Sequence, residues 1–153
     1  MDEVAGIYAR ESALLDRYVQ CGIAQERVIS VSFPEAPTHG ASSEHDLLDR
    51  IDAYLEGATD DFADVTVALT VSTTEREVLE VVRDIPYGEE RTVEQITQMT
   101  PDLDAEETDE RTAVREALLE NPTPLLIPDH RVRDGPSAAP AAVEQQLRTI
   151  EGL

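Results

Sequence analysis

The sequence predicts an α+β fold, in which a small N-terminal antiparallel sheet with a covering helix is followed by a helical C-terminal half. Two patterns predict this order. β-branched residues alternate with polar ones in an early segment of the chain, and apolar residues recur at helical spacing in later segments. With 153 residues, 41% of them hydrophobic, the chain is long enough for one compact domain or two small, closely packed ones.

The sheet is predicted between Ala13 and Phe33. Gly22 and the polar residues 25–27 interrupt the alternating pattern there, so we expect two antiparallel strands. Residues 1–12 are interpreted as an extension ahead of the sheet. The single cysteine, Cys21, excludes an internal disulfide and is interpreted as a free structural thiol beside the expected hairpin.

A helix is predicted to cover this sheet. It follows a loop at residues 34–43 and ends at Gly57. Its apolar positions are Leu47, Leu48, Ile51, Tyr54 and Leu55. A short strand is predicted at residues 65–69, and a capping box at residues 74–77 predicts the next helix. We therefore divide the chain into subdomains 1–72 and 73–153.

The second half is predicted to be helical with short loops. A capping box at residues 92–95 predicts a helix to about Met99, which Pro101 ends. Residues 111–119 predict a further helix, and residues 145–150 a terminal one. The first two of these helices are compatible with a helix-turn-helix.

The charge pattern is strongly acidic. The chain has 33 acidic and 12 basic residues, a formal charge of -21, and every basic residue is arginine. At about 1 M salt the Debye length falls to roughly 3 Å, which screens such self-repulsion. We therefore expect a halophilic cytoplasm; the alternative is an acidic protein of an ordinary cell that avoids anionic partners. The acidic start and the lack of an apolar run of about 20 residues favour a cytoplasmic location without a membrane partner.

Two segments carry the most specific signals. Residues 85–89 read Ile-Pro-Tyr-Gly-Glu, and residues 121–132 read Asn-Pro-Thr-Pro-Leu-Leu-Ile-Pro-Asp-His-Arg-Val. Both resemble signatures of the O6-alkylguanine-DNA alkyltransferase family, in which Ile-Pro-Cys-His-Arg-Val holds the acceptor cysteine. Asp129 occupies that cysteine position here. The resemblance covers residues 13–153 and implies a winged or helix-turn-helix-like domain that binds the minor groove and flips the alkylated base.

The family resemblance also implies the parts of the reactive site. In the family a thiolate displaces the alkyl group from O6 of guanine, assisted by a histidine and a glutamate, while an asparagine ties the turn together. The matching residues are His130, Glu151 and Asn121. A carboxylate is a far poorer nucleophile than a thiolate, and we expect Asp129 to pair with His130 instead.

The DNA-contacting positions depart from the family pattern. The positions concerned are Val93, Arg111, Thr112, Arg115 and Arg131. The family has a tyrosine at the position of Val93, and an arginine that enters the base stack at that of Thr112. Arg111 and Arg115 are neighbours that could substitute. The turn at residues 101–107 is longer and more acidic than is usual in the family, which disfavours phosphate contact.

Three functions remain open on the sequence alone. The first is a non-catalytic reader of O6-alkylguanine in duplex DNA that acts with a repair-protein partner. The second is a family-derived interaction protein without DNA binding, and the third is an active alkyltransferase that uses Asp129. Arginines gathered near residues 111–119 would favour DNA, whereas arginines paired with carboxylates would favour the second function. We expect a monomer without a cofactor. We also expect no metal site, because His39 and His45 lie on one flexible loop, which cannot pre-form a tetrahedral site.

Overall fold

A computed structural model describes residues 5–153. These residues form a three-stranded sheet, five α-helices and one 3-10 turn, which confirms the α+β class. The strands β1 (Ala5–Ser12), β2 (Arg17–Ala24) and β3 (Arg27–Ser32) lie side by side in chain order and pair antiparallel. In the described part of the chain, no helix is both long and apolar enough to cross a lipid bilayer.

The first strand corrects the expectation of an N-terminal extension. All eight residues of β1 pair with β2, so they satisfy backbone groups along one whole side of the central strand. Ala9 is buried and Tyr8 packs against the core. Residues 1–4 of the predicted extension lie outside the described residues.

The β2–β3 hairpin turns later than the position of Gly22 suggests. Gln25 and Glu26 have φ angles of 53° and 65°, the left-handed conformation that a two-residue type I′ turn requires. Gly22 lies inside β2, where the pairing register shifts. A Cβ atom on Gly22 would meet Ser30 Oγ at 2.6 Å, so this glycine permits a close approach of the strands.

Helix α1 (Asp46–Leu55) is the predicted covering helix. His45 Nδ1 caps it by accepting a hydrogen bond from the Leu47 amide at 3.0 Å. Its five buried residues are the five predicted ones, and they form one core cluster with inward residues of the sheet. The strand predicted at residues 65–69 is wrong: Val67 forms only an isolated bridge with Val28.

Helix α2 (Thr73–Arg83) begins before the predicted capping box. Ser72 Oγ accepts a hydrogen bond from the Glu75 amide at 3.2 Å and donates to the Glu75 carboxylate at 3.0 Å. This pair satisfies the first turn two residues ahead of the predicted position. The box expected at residues 74–77 is therefore wrong, although the helix that it predicted is present.

Two further helices complete the second core cluster. Helix α3 (Val93–Met99) has the predicted capping box, formed by Thr92 and Gln95. Helix α4 (Thr108–Leu119) begins three residues earlier than predicted. The buried sides of α2, α3 and α4 pack together with nearby loop residues as a cluster separate from the one beneath the sheet.

The C-terminal helix connects the two halves of the sequence. A 3-10 turn (Asp129–Arg131) precedes α5 (Ala141–Glu151), which is longer than the predicted residues 145–150. Val143 and Leu147 of α5 belong to the core cluster beneath the sheet. This packing places the end of α5 beside α1. The division into subdomains at residue 72 stays a prediction.

Candidate functional site

Glu151, the last residue of α5, is the centre of a buried hydrogen-bond network. Its side chain is 0% exposed. The donors to its carboxylate are the Tyr54 hydroxyl, the Gly88 amide (3.0 Å), His130 Nε2 (2.8 Å), and Arg131 Nε and Nη2 (2.8 and 2.9 Å). These donors come from α1, the Ile-Pro-Tyr-Gly-Glu turn and the 3-10 turn. One carboxylate therefore ties four parts of the chain together.

Cationic and neutral donors keep this carboxylate ionised. Burial alone would raise the pKa of Glu151, but the hydrogen bonds from His130 and Arg131 hold that pKa well below its usual value. Arg131 forms the two-pronged contact that matches carboxylate geometry best. Its Nη1 also donates to the Ile85 carbonyl at 2.6 Å and to Asp61 at 3.2 Å. The Arg131 side chain therefore points into the protein interior, where its donors are engaged.

His130 is a neutral member of the network. Burial lowers its pKa, against the raising effect of Glu151. A neutral ring that faces a carboxylate carries its proton on Nε2, so His130 donates to Glu151. Its Nδ1 is buried and has no hydrogen-bond partner among residues 5–153. The predicted histidine and glutamate are therefore brought together, at 2.8 Å.

Tyr54 is a site residue that sequence reasoning missed. Its ring lies in the core beneath the sheet, and its hydroxyl donates to Glu151 and lies 3.5 Å from His130 Nε2. In the sequence Tyr54 is simply one apolar position of α1. The available signal was its hydroxyl, because a fully buried tyrosine usually has a hydrogen-bond partner.

Asp129 occupies a second buried position, at the start of the 3-10 turn. It is 1% exposed. Its Oδ1 accepts from Ser137 Oγ at 2.5 Å, and its Oδ2 accepts from the Ala138 amide at 2.9 Å and from Asn121 Nδ2 at 3.1 Å. Burial raises its pKa to about 6, although these three donors lower it. No hydrogen bond or ion pair joins it to His130 among the described contacts, so the expected pairing is wrong.

Asn121 makes several hydrogen bonds within the turn that carries Asp129. Its Nδ2 donates to the Ile127 carbonyl at 2.9 Å as well as to Asp129, and its Oδ1 accepts from the Thr123 amide at 3.0 Å. Asn121 is buried, so each of these bonds replaces one to water. The asparagine and the acceptor-position residue are thus in direct contact.

The segment at residues 133–140 contacts helices α3 and α4 at its start and Asp129 farther along. Asp134 Oδ1 accepts from the Val93 amide at 2.7 Å, at the N-terminus of α3. Gly135 packs so closely that a Cβ atom there would lie 2.7 Å from Leu118 Cδ1. Farther along, Ser137 and Ala138 contact Asp129. The segment therefore joins the candidate site to the α3–α4 pair.

The predicted DNA-contacting residues fall into two groups. Val93 and Arg131 are buried, so neither offers a side chain to DNA in this conformation. Thr112 and Arg115 are exposed on α4, and Arg111 is partly exposed beside them. Arg111 donates to the Ala105 carbonyl and to Thr108 Oγ1, and so holds the preceding turn.

The arginines near α4 differ in whether a carboxylate pairs with them. Arg111 and Arg115 line one shallow surface cavity together with Glu94 and Asp134. Arg115 makes no hydrogen bond or ion pair with another described residue. Arg133 lies 3.7 Å from Glu90. A small cationic patch is therefore present on α4, edged by carboxylates.

Two other residues singled out in the sequence, Cys21 and His45, have structural positions. Cys21 is fully buried and unbonded in β2, and burial raises the pKa of its thiol to about 12. The His45 ring packs against the Tyr8 ring with centroids 4.6 Å apart and planes tilted by 56°. Over residues 5–153, no cluster of three or more His, Cys, Asp or Glu side chains could hold a metal ion.

Comparison with known proteins identifies the class. The sequence profile described as 6-O-methylguanine DNA methyltransferase, DNA binding domain, matches residues 73–150. A methylated-DNA–protein-cysteine methyltransferase from Methanopyrus kandleri is 35% identical over 117 residues, which span 75% of this chain and 84% of that protein. The chain therefore belongs to the O6-methylguanine-DNA methyltransferase family and has its DNA-binding domain.

Solved structures share the fold. The O6-methylguanine methyltransferase of Mycobacterium tuberculosis matches with a TM-score of 0.73 and 19% identity, over 97% of this chain and 91% of that one. The same enzyme in complex with DNA also has a TM-score of 0.73, at 19% identity, over 96% and 93% of the two chains. The enzyme of Pyrococcus kodakaraensis has a TM-score of 0.68 and 18% identity, over 97% and 99%.

Proposed function

We propose that this protein is a non-catalytic member of its family that binds O6-alkylguanine lesions in duplex DNA and acts with a repair-protein partner. The observation that carries the proposal is Asp129: a carboxylate stands at the acceptor position, and three hydrogen-bond donors occupy it. Lone pairs engaged by donors are poorly available for attack on carbon. A carboxylate is also a weaker nucleophile than a thiolate to begin with.

The frame around the acceptor position supports binding rather than transfer. His130, Glu151 and Asn121 make buried hydrogen bonds, so the turn that carries the acceptor position is held in place. A chain that had lost DNA function altogether has no evident need for this polar network, because apolar packing is usually as stable. Retention of the turn without its nucleophile suits recognition of a base.

The surface of α4 offers a small number of positive charges that can contact DNA phosphates. Arg115 is exposed and unpaired among the described residues, and Arg111 lies one helical turn away. Counterion release contributes little in molar salt, so affinity there depends on fit and apolar contact more than on basic patches. The acidic surface is thus compatible with DNA binding at high salt.

The test is fluorescence anisotropy of a labelled duplex with one O6-methylguanine, compared with the same duplex with guanine, in molar KCl. We expect at least tenfold tighter binding of the lesion, about 1.4 kcal/mol. Arg115→Ala should weaken binding of both duplexes by a similar factor, since a phosphate contact carries no sequence information. Arg27→Ala removes an exposed arginine of β3 and serves as the matched control.

The other outcomes select the alternatives. Equal affinity for the two duplexes would leave a non-specific DNA-binding role. Binding to neither duplex would favour the interaction protein without DNA binding. Mass spectrometry of the protein after incubation with the lesion tests the third function: addition of one methyl group at Asp129 would establish transfer and overturn the non-catalytic assignment.

A further inference from the structure

The acceptor position is closed by the protein itself. A base can approach this position only if Asp129 is reachable, yet Asp129 is 1% exposed. The residues that cover its carboxylate are Ser137 and Ala138, which are themselves partly exposed. One layer of chain therefore separates the acceptor position from solvent.

The covering residues are held mainly by Asp129; the one other side-chain hydrogen bond among them is local, from the Ala139 amide to Ser137 Oγ at 3.0 Å. Ser137 Oγ donates to Asp129 Oδ1 at 2.5 Å, and the Ala138 amide donates to Oδ2 at 2.9 Å. The firm anchors of the segment lie on either side, at Gly135 against Leu118 and at the buried Ala139. Loss of the two Asp129 bonds would thus free the middle of the segment while its ends stay in place.

We propose that Asp129 is a gate residue, whose carboxylate clasps Ser137 and Ala138 over the acceptor position so that a lesion base enters only after this clasp opens. The gate rests on the proposed function, because the ligand it admits is the flipped base. The acceptor position is then not merely inactivated: its new side chain occupies the donors that line the site and sets the affinity for the lesion.

The clasp alone is tested first, without DNA. Hydrogen exchange of the segment at residues 133–140, followed by mass spectrometry or NMR, should show at least tenfold faster exchange of the Ala138 amide in Asp129→Ala. Ser137→Ala should accelerate it less, and it provides a milder variant if Asp129→Ala folds poorly. Glu116→Gln removes an exposed carboxylate of α4 that makes no contact with Asp129, and it should leave this exchange unchanged. Unchanged exchange in Asp129→Ala would overturn the clasp.

The gate is then tested with the two duplexes. We expect Asp129→Ala to bind the O6-methylguanine duplex about tenfold more tightly than the parent protein, with no change for the guanine duplex. Faster exchange with unaltered lesion affinity would overturn the gate. If neither protein binds either duplex, the proposed function fails, whereas the exchange rate still decides whether the clasp exists.

Discussion

Two buried carboxylates, Glu151 and Asp129, differ in whether a cationic side chain bonds to them. Glu151 is bonded by an arginine as well as by neutral donors, and its pKa is held well below the usual value. Asp129 has three donors but no cation, and burial raises its pKa to about 6. The three neutral hydrogen bonds to Asp129 therefore do not offset the cost of burying its charge, whereas the hydrogen bonds from His130 and Arg131 do so for Glu151.

Because of this difference, burial of Glu151 stabilises the fold, whereas burial of the Asp129 charge destabilises it. Glu151 links four parts of the chain, so its burial contributes to the fold. Burial disfavours the charged form of Asp129 and raises its pKa to about 6, so stability does not explain a carboxylate at the acceptor position. A buried residue that costs stability at a binding position is a reasonable candidate for a functional role, which is why the gate is assigned to Asp129 rather than to Glu151.

The largest effect on stability is expected when the cationic partner of Glu151 is removed. Arg131→Met should lower the free energy of unfolding by about 3–5 kcal/mol, because it leaves a buried carboxylate without its charged partner. Urea unfolding in molar KCl measures this change. Arg115→Met, at an exposed arginine, should change stability by less than about 0.5 kcal/mol. Similar losses in both variants would contradict the assigned role of Arg131.

The pH dependence of stability tests Asp129. Its pKa is raised from an ordinary 3.8 to about 6, so the folded protein binds this proton more tightly and the associated stability is lost as pH rises from about 4 to above 6. Relative to the parent, Asp129→Asn should gain up to about 3 kcal/mol over that range. Unfolding titrations of both proteins at several pH values measure the difference.

For Glu151→Gln we expect the opposite dependence of stability on pH. Because the pKa of Glu151 is lowered in the folded state, its ionisation stabilises the protein above about pH 4.5 and this stability is lost on acidification. The gap between parent and Glu151→Gln should therefore narrow as pH falls below that value. A parallel pH response of the Asp129 and Glu151 variants would show that the two environments do not differ.

The neutral donors to Glu151 are tested by Tyr54→Phe. The variant removes one hydroxyl donor to a charged acceptor and should cost about 2 kcal/mol. Tyr18→Phe is the matched control, because the Tyr18 hydroxyl makes no hydrogen bond with another described residue, and it should change little. Equal thermal shifts for the two variants would argue against a Tyr54–Glu151 bond.

The smallest effect is expected on the Asp129 side. Ser137→Ala should cost about 1 kcal/mol in urea unfolding, since it removes one neutral hydroxyl from a carboxylate that Asn121 and the Ala138 amide still hold. Ser30→Ala, at an exposed position of β3, should be close to neutral. A loss from Ser137→Ala larger than that from Tyr54→Phe would reverse the order of the two networks.

Short-range patterns predicted much of the fold. The five apolar positions of α1 and the Thr92–Gln95 capping box follow from spacing within one helix, and both are present. The errors arose where pairing partners are distant. Residues 5–12 form a strand because β2 lies beside them, and residues 65–69 do not form one because Val67 meets only Val28.

The candidate site was predicted in the same uneven way. Of its motif residues, His130 contacts Glu151, and Asn121 contacts Asp129 in a second network. Tyr54 and Ser137 were missed, since each reaches its carboxylate from a segment that is far away in sequence or outside the motif. Arg131 was expected at the DNA surface and lies inside, because Glu151 offers it a buried partner.

The sequence by itself determined the family, the α+β class and the replacement of the acceptor cysteine by Asp129, because these follow from residue order and local periodicity. Only the tertiary structure decided what each buried charge contacts. The energy of a carboxylate depends on which donors and cations lie within about 3 Å of it, and those neighbours come from segments that the chain brings together only on folding. For that reason Glu151 is ionised, whereas Asp129 is shifted toward its neutral form.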